Sequence, residues 1–575
     1  MTIAPGAPLL EEPRWFGPAD HPLFGWVTWP EGTDVRGGVL LAPPIGREAR
    51  AARRALHEVA IALAERGFAS LRFDYDGTGD SSGNFDDPAR DRAWVDSVAH
   101  AAAYLRELGA ETVSAVGMRL GATILGAASQ AHDLRLASVV LWDPCDTGRG
   151  YLRELGALEA LRRTNVIVDP ERGVETAEFV FTPDAVAALR RLSLVAEAAT
   201  PLAERVLVVT REDRAASEKL RKRLNDEKVD WETTSEQAAM VDVEPLGAVM
   251  PRTTIRSIVS WLAAEPAVPG PFAVPAAASS TTLAIDKVAT AVTERVVRLG
   301  PRRLFGIVTE PTVAPSGPWI VMFNVANEEH TGPSRLWVEL SRRWAGLGLR
   351  CVRFDLTGLG DSPRVPGRAD RTMYDLAWLE DLPEVARVLS PADPADTVFV
   401  GLCSGAYLAA EAGLALGSRG VCAINPPIGV DFLAGVATLE RSRHRSVRLL
   451  AVQLKEVALR LRWVSVAIWQ VVRVIMPSVF NRDVMASIAA SGTDLLLLAS
   501  TDDLTPFPTM PRLERFFAGR LVRPANYEVT FVEGLDHSMH AAEGRDRAIA
   551  MLAAHIEGRF ATPHPGAKPV DKEGQ

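Results

Sequence analysis

Thr397-Val398-Phe399-Val400-Gly401-Leu402-Cys403-Ser404-Gly405-Ala406-Tyr407 runs from a short apolar strand, through a turn flanked by glycines, into a helix of small residues. The pattern G-x-Cys-x-G is that of a nucleophile elbow, a turn that stands its central side chain up at the end of a strand. Glycines at 401 and 405 let the strand and helix backbones cross where a Cβ would collide. The pattern also occurs earlier, as Gly117-Met118-Arg119-Leu120-Gly121 after the apolar residues 112–116. A cysteine thiolate can be acylated at the central position and an arginine cannot. The two turns imply one half equipped for nucleophilic chemistry and one half that has lost it.

The duplication extends upstream of the turns. Gly67-Phe68-Ala69-Ser70-Leu71-Arg72-Phe73-Asp74 is echoed by Gly348-Leu349-Arg350-Cys351-Val352-Arg353-Phe354-Asp355. Both lead into G-x-G-D-S, at Gly77-Thr78-Gly79-Asp80-Ser81 and Gly358-Leu359-Gly360-Asp361-Ser362. The offset is 281 residues, the length of a whole domain rather than a solenoid repeat. Strand-like apolar runs fall at 38–42, 70–73, 113–116, 138–142 and 206–210, and again at 319–324, 351–354, 398–401, 420–424 and 495–500. Helical stretches alternate with them, so the fold class is α/β, with two mostly parallel sheets covered by helices on both faces. Such sheets place their sites at the carboxyl ends of strands. The expected organisation is a first domain over 1–264, a Pro/Ala/Ser-rich linker over 265–282, a second domain over 283–560 and a disordered tail over 561–575.

With 575 residues, 47% hydrophobic and 23% charged, the chain can bury two substantial cores. A net charge of −9 argues against general nucleic-acid binding. The four cysteines, Cys145, Cys351, Cys403 and Cys422, have neither metal-ligand nor disulfide-framework spacing, so no metal or cofactor is expected and a reducing cytoplasm is. The first 13 residues lack the order of a signal peptide, and no window reaches the roughly 18 apolar residues of a membrane span. These features give a cytoplasmic expectation without a transmembrane segment.

The R-F-D and G-x-G-D-S tracts followed by the elbow resemble the α/β-hydrolase fold. Within it they are similar to bacterial serine-hydrolase-like proteins found beside biosynthetic gene clusters, which implies a role in secondary or surface-polymer biosynthesis. The resemblance covers 37–263 and 302–560. It implies the chain order nucleophile, acid, histidine. After the strand at 495–500, Thr501-Asp502-Asp503-Leu504-Thr505-Pro506 matches the acid loop, with Asp502 in better register than Asp503. Gly534-Leu535-Asp536-His537-Ser538-Met539 matches the histidine loop, giving His537 as general base and His540 as its rival. Cys403 is then the nucleophile, although Ser404 competes for the role; shifting the frame to Ser404 would put Leu402 where a glycine is wanted. The oxyanion donors would be the backbone N–H groups of Ser404 and Ala326, the latter in Asn324-Val325-Ala326-Asn327 where a His-Gly pair is more familiar.

His330 lies on that same loop and would either line the site or decorate the surface. In the first half no histidine occurs between His132 and His330, so a nucleophile, histidine, acid mechanism is excluded there whatever stands at 119. Arg119 is either a structural arginine paired with acidic neighbours or an anion-binding group above a helix N-terminus. Residues 427–493 read as a helical lid. Leu450, Leu454, Val457 and Leu461 begin an apolar stripe that runs to Ile475, and Arg441, Arg443, Arg445, Arg448, Lys455, Arg460 and Arg462 make the first half of the lid basic. A basic lid suits an acyl group on an anionic carrier such as coenzyme A or an acyl carrier protein, or an anionic membrane surface; a solvated face over a lid-core contact fits equally. The reading is an ester or thioester hydrolase or acyltransferase working through an acyl-enzyme on Cys403. Its alternative is a non-catalytic scaffold or binding protein of the same fold.

Overall fold

A computed structural model describes residues 8–32, 34–162, 173–176, 180–196, 201–243, 247–264, 269–275, 280–284, 291–326, 328–364, 376–390, 393, 395–426, 487–488, 491–500, 526–537, 539 and 542–561. Most of the expected lid over 427–493, the acid candidates Asp502 and Asp503, His540 and the tail beyond Ala561 lie outside them. The chain divides into two compact units, Met1–Leu283 and Ala284–Gln575.

The first unit is built on an eight-stranded sheet in the order Leu9–Phe16, Leu23–Pro30, Ala69–Phe73, Gly38–Ala42, Val113–Met118, Leu136–Trp142, Arg205–Arg211, Val229–Thr234. The second sheet has the order Ser280–Leu283, Val292–Leu299, Leu304–Pro311, Arg350–Phe354, Trp319–Met322, Thr397–Leu402, Gly420–Ile424, Asp494–Ser500, Tyr527–Val532. Apart from Ser280–Leu283, the two sheets share one strand order, with two leading strands antiparallel and the rest parallel. Both have α/β-hydrolase topology.

Each sheet carries an apolar cluster on either face, which is why its central strands are continuous apolar runs instead of alternating ones. Every residue of Gly38–Ala42, Val113–Met118, Trp319–Met322 and Thr397–Leu402 is buried. The antiparallel strands at the front of each unit are not among the strand runs expected from the sequence. Leu23–Pro30 carries a glycine and ends in proline, and Val292–Leu299 has arginines at 295 and 298, so neither presents a clean strand pattern. Part of the expected linker is also folded. Gly270-Pro271 pairs with Asp34-Val35, and Phe272 is buried in the first core beside Leu108, whose carbonyl accepts from the Ala273 N–H.

The repeated R-F-D…G-x-G-D-S tract is a loop brace. Asp355 ends a parallel strand, and its Oδ2 accepts from the Asp361 N–H at 2.9 Å while its backbone oxygen accepts from Ser362 Oγ at 2.6 Å. Ser362 Oγ in turn accepts from the Phe305 N–H at 2.9 Å, tying the turn to the neighbouring strand. Asp74, Asp80, Ser81 and Phe24 repeat these contacts in the first unit. The second glycine is required because it has φ +48 and a Cβ there would stand 2.2 Å from Asp355 Oδ2. That carboxylate cannot swing aside, being held by the His330 N–H, the Asn324 amide, the His330 ring and the Asp361 N–H. Gly360→Ala is expected to destabilise the second unit by about 1–3 kcal/mol, read as a lowered midpoint in urea unfolding.

Candidate active site

The strand Thr397–Leu402 and the helix Ser404–Leu416 meet at Cys403, whose backbone has φ 52 and ψ −118. Arg119, between Val113–Met118 and Leu120–Ala131, has φ 53 and ψ −123. A side chain at positive φ is strained by about 1–3 kcal/mol and persists only where the surroundings enforce it. They do so here by crowding. A Cβ on Gly401 would lie 2.1 Å from the Gly405 oxygen, and one on Gly405 would lie 2.5 Å from the Asn324 oxygen. The corresponding approaches are 2.7 Å at Gly117 and 2.4 Å at Gly121. Cys403, not Ser404, therefore occupies the raised position, and Ser404 is the first residue of the helix.

Cys403 is partly exposed, and its Sγ lies 3.0 Å from His537 Nε2. The other three cysteines are buried, and burial pushes their thiols up, so they remain protonated. His537 follows the strand Tyr527–Val532, and its loop is pinned by a residue that the motif reading did not single out. Asn425, at φ 45 just past Gly420–Ile424, donates its amide to the Asp536 carbonyl at 2.9 Å and to the His537 carbonyl at 3.0 Å. Its Oδ1 accepts from the Ser500 N–H at 2.7 Å, and Ser500 Oγ donates to the Leu535 carbonyl. The end of Asp494–Ser500 is thus fixed to the loop that carries His537. The only sequence signal for Asn425 was its place right after an apolar strand, where Asn tolerates left-handed backbone.

Of the expected oxyanion donors, Ser404 lies at the helix N-terminus, where first-turn N–H groups have no intrahelical acceptor. Ala326 has φ 51, and its N–H points at Ser404 Oγ, 2.8 Å away. Ala326 and Ser404 are thus adjacent, but the Ala326 N–H is engaged by a hydroxyl. His330 neither lines the site nor decorates the surface. It is buried, with Nδ1 2.9 Å from Asp355 Oδ2 and its ring edge-on to Phe305. Asn324 links this loop to the brace, donating to Asp355 and to the Glu328 carbonyl and accepting from the Leu356 N–H. Among the described residues, Glu329, His330 and Asp361 have potential ligand atoms within 4.8 Å of one another, the spacing at which a metal ion can be held.

In the first unit the matching position is filled by ion pairs. Arg119 is buried and donates to Glu48 at 3.1 Å and Glu154 at 2.6 Å, with Asp143 Oδ2 at 3.4 Å. Burial pushes Asp143 up despite the facing guanidiniums of Arg119 and Arg211. Glu154 is held down because Arg119 and Arg214 outweigh its burial. Arg119 thus has three carboxylates within ion-pairing distance.

Residues 322–551 match the model of the Alpha/beta hydrolase family. No curated protein matches the chain. Similar solved structures include proline iminopeptidase from Mycobacterium smegmatis, with 18% identity over 44% of this chain and 100% of that one, at a TM-score of 0.30. Epoxide hydrolase A from Mycobacterium thermoresistibile is similar at 13% identity over 45% and 100%, with a TM-score of 0.32. An alpha-beta serine hydrolase homologue from Coxiella burnetii is similar at 16% identity over 45% and 96%, with a TM-score of 0.27. The family match, together with the strand order of both sheets, makes this an α/β-hydrolase-fold protein. That fold points to hydrolase or acyl-transfer activity on a small-molecule substrate. Among the described residues no helix is long and apolar enough to cross a membrane.

Proposed function

We propose that the second unit is an acyl-transfer enzyme that works through a covalent thioester on Cys403. The observation that carries this reading is the 3.0 Å approach of His537 Nε2 to the Sγ raised at the elbow. His537 takes the thiol proton as Sγ attacks the acyl carbonyl carbon, and the carbonyl pair moves onto oxygen. When the carbonyl re-forms, the bond to the leaving group breaks and that group departs with the His537 proton. Water, an alcohol or an amine then attacks the thioester, losing its proton to His537 while Sγ leaves. Asp502 would hold the His537 tautomer, a role supported by the fixed exit of its strand at Ser500 beside the histidine loop. A thiolate is both a good nucleophile and a good leaving group, which favours thioester substrates, including acyl groups on coenzyme A or an acyl carrier protein. The first unit is non-catalytic, since its elbow arginine is sealed by carboxylates.

The test is intact-mass measurement after brief exposure to p-nitrophenyl acetate or acetyl-coenzyme A, followed by peptide mapping. An acetyl group on the peptide containing Cys403 supports the reading. A protein that turns over neither ester and carries no adduct is instead a non-catalytic binding protein of the same fold. Asn425→Gly keeps the backbone freedom at φ 45 but removes the amide that holds the His537 loop. It is expected to slow single-turnover acetylation by about 10–100-fold, because small misplacements of a base are costly.

A further inference from the structure

The Ser404 side chain sits where the second oxyanion donor was expected to act. Its hydroxyl accepts the Ala326 N–H at 2.8 Å, so that N–H cannot at the same time meet an oxyanion. Ser404 is 1% exposed, and no described residue accepts the hydroxyl proton. A hydroxyl that accepts one hydrogen bond still has a proton to give, and accepting from an amide polarises its O–H and strengthens it as a donor. Ser404 is the first residue of the helix and directly follows Cys403, so its hydroxyl and its backbone N–H belong to the residue next to the nucleophile. Resting on the acyl-transfer reading above, we propose that the oxyanion is held by two donors of one residue, the Ser404 N–H and the Ser404 hydroxyl. Ala326 acts one step back, as the positioning group that orients the hydroxyl. The positive φ of Ala326 is then explained, because it turns the N–H onto Oγ.

In the acylation step the carbonyl π pair moves onto oxygen as the C–S bond forms, and the thiol proton passes to His537. The Ser404 hydroxyl keeps its proton throughout; it donates a hydrogen bond that strengthens as charge develops on oxygen and relaxes when the C–O bond to p-nitrophenoxide breaks. It is therefore a catalytic group without being the nucleophile, which also accounts for a serine beside the cysteine at the elbow.

Two reactions of Cys403 separate this role from a structural one. Acetylation by p-nitrophenyl acetate passes through an oxyanion, whereas alkylation by iodoacetamide displaces iodide at a saturated carbon and forms none. Ser404→Ala is expected to slow acetylation about 100-fold with little change in the concentration dependence, and to leave alkylation within about 2-fold. Ser404→Thr, which retains the hydroxyl, is expected to stay within about 10-fold of wild type in acetylation. Acetylation that is unchanged or faster in Ser404→Ala would overturn the proposal, since the hydroxyl would then merely cover the Ala326 N–H. Equal slowing of both reactions would overturn it too, by showing a displaced cysteine. A wild type that is alkylated at Cys403 but never acetylated would remove the acyl-transfer reading itself, and the oxyanion role with it.

Discussion

Cys403→Ala is expected to lower the cleavage of p-nitrophenyl acetate and acetyl-coenzyme A by about 10⁴-fold or more, with unfolding unchanged. Alanine can take the same backbone strain as cysteine, so the elbow at φ 52 survives while the nucleophile is lost. No other thiol can substitute, because Cys145, Cys351 and Cys422 are buried and pushed up out of the range in which a thiolate forms. Ser404 cannot substitute either, since its hydroxyl is turned toward the Ala326 N–H instead of His537. His537→Gln should fall nearly as far, because nucleophile and base act as one unit and their losses do not add. Steady-state absorbance assays check both variants. Residual cleavage above about one percent in Cys403→Ala would mean that the acyl-enzyme does not form on this residue, as a hundredfold loss is worth only ~2.7 kcal/mol of the barrier.

The elbow was legible in the sequence because its physics is local. Two glycines, an apolar strand before and small residues after specify a crossing that few other residues can make. The R-F-D…G-x-G-D-S tract was legible as a repeat but not as a mechanism, for its meaning lies in contacts between separate loops. Asp355 gathers donors from Asn324 and His330, some 25–31 residues away, and nothing at 324 or 330 advertises that destination. His330 illustrates the limit. A histidine in a polar stretch reads as a surface residue, and only a buried carboxylate partner brings it into the core. Asn425 was missed for the same reason: its amide matters because the His537 loop, more than 100 residues later, returns to it. The front antiparallel strands went unread because the pairing of Leu9–Phe16 with Leu23–Pro30 supplies what their irregular patterns lack.

The two elbows keep the same backbone strain although only one carries a nucleophile, so in the first unit something other than catalysis must sustain it. The ion-pair cluster around Arg119 does so, and Arg119→Leu is expected to destabilise that unit by about 3–5 kcal/mol. The loss is large because Glu48 and Asp143, each with a side chain 5% exposed, would be left buried with their principal cation gone. Arg211 does not replace it, being 3.9 Å from Asp143 and already shared with Asp213 and Asp242. Hydrogen exchange followed by mass spectrometry checks this within the intact chain. Peptides covering Val113–Met118 and Leu136–Trp142 should lose protection, while acetylation of Cys403 stays within about 2-fold of wild type. An Arg119→Leu protein with unchanged protection would mean that the guanidinium contributes nothing net to folding and that the carboxylates have other ways of being satisfied. Arg119→Cys, by contrast, should create no esterase in the first unit, since no histidine lies between His132 and His330 to take the thiol proton. A thiol there would face Glu48, Asp143 and Glu154, and three carboxylates disfavour the thiolate as surely as they favour arginine.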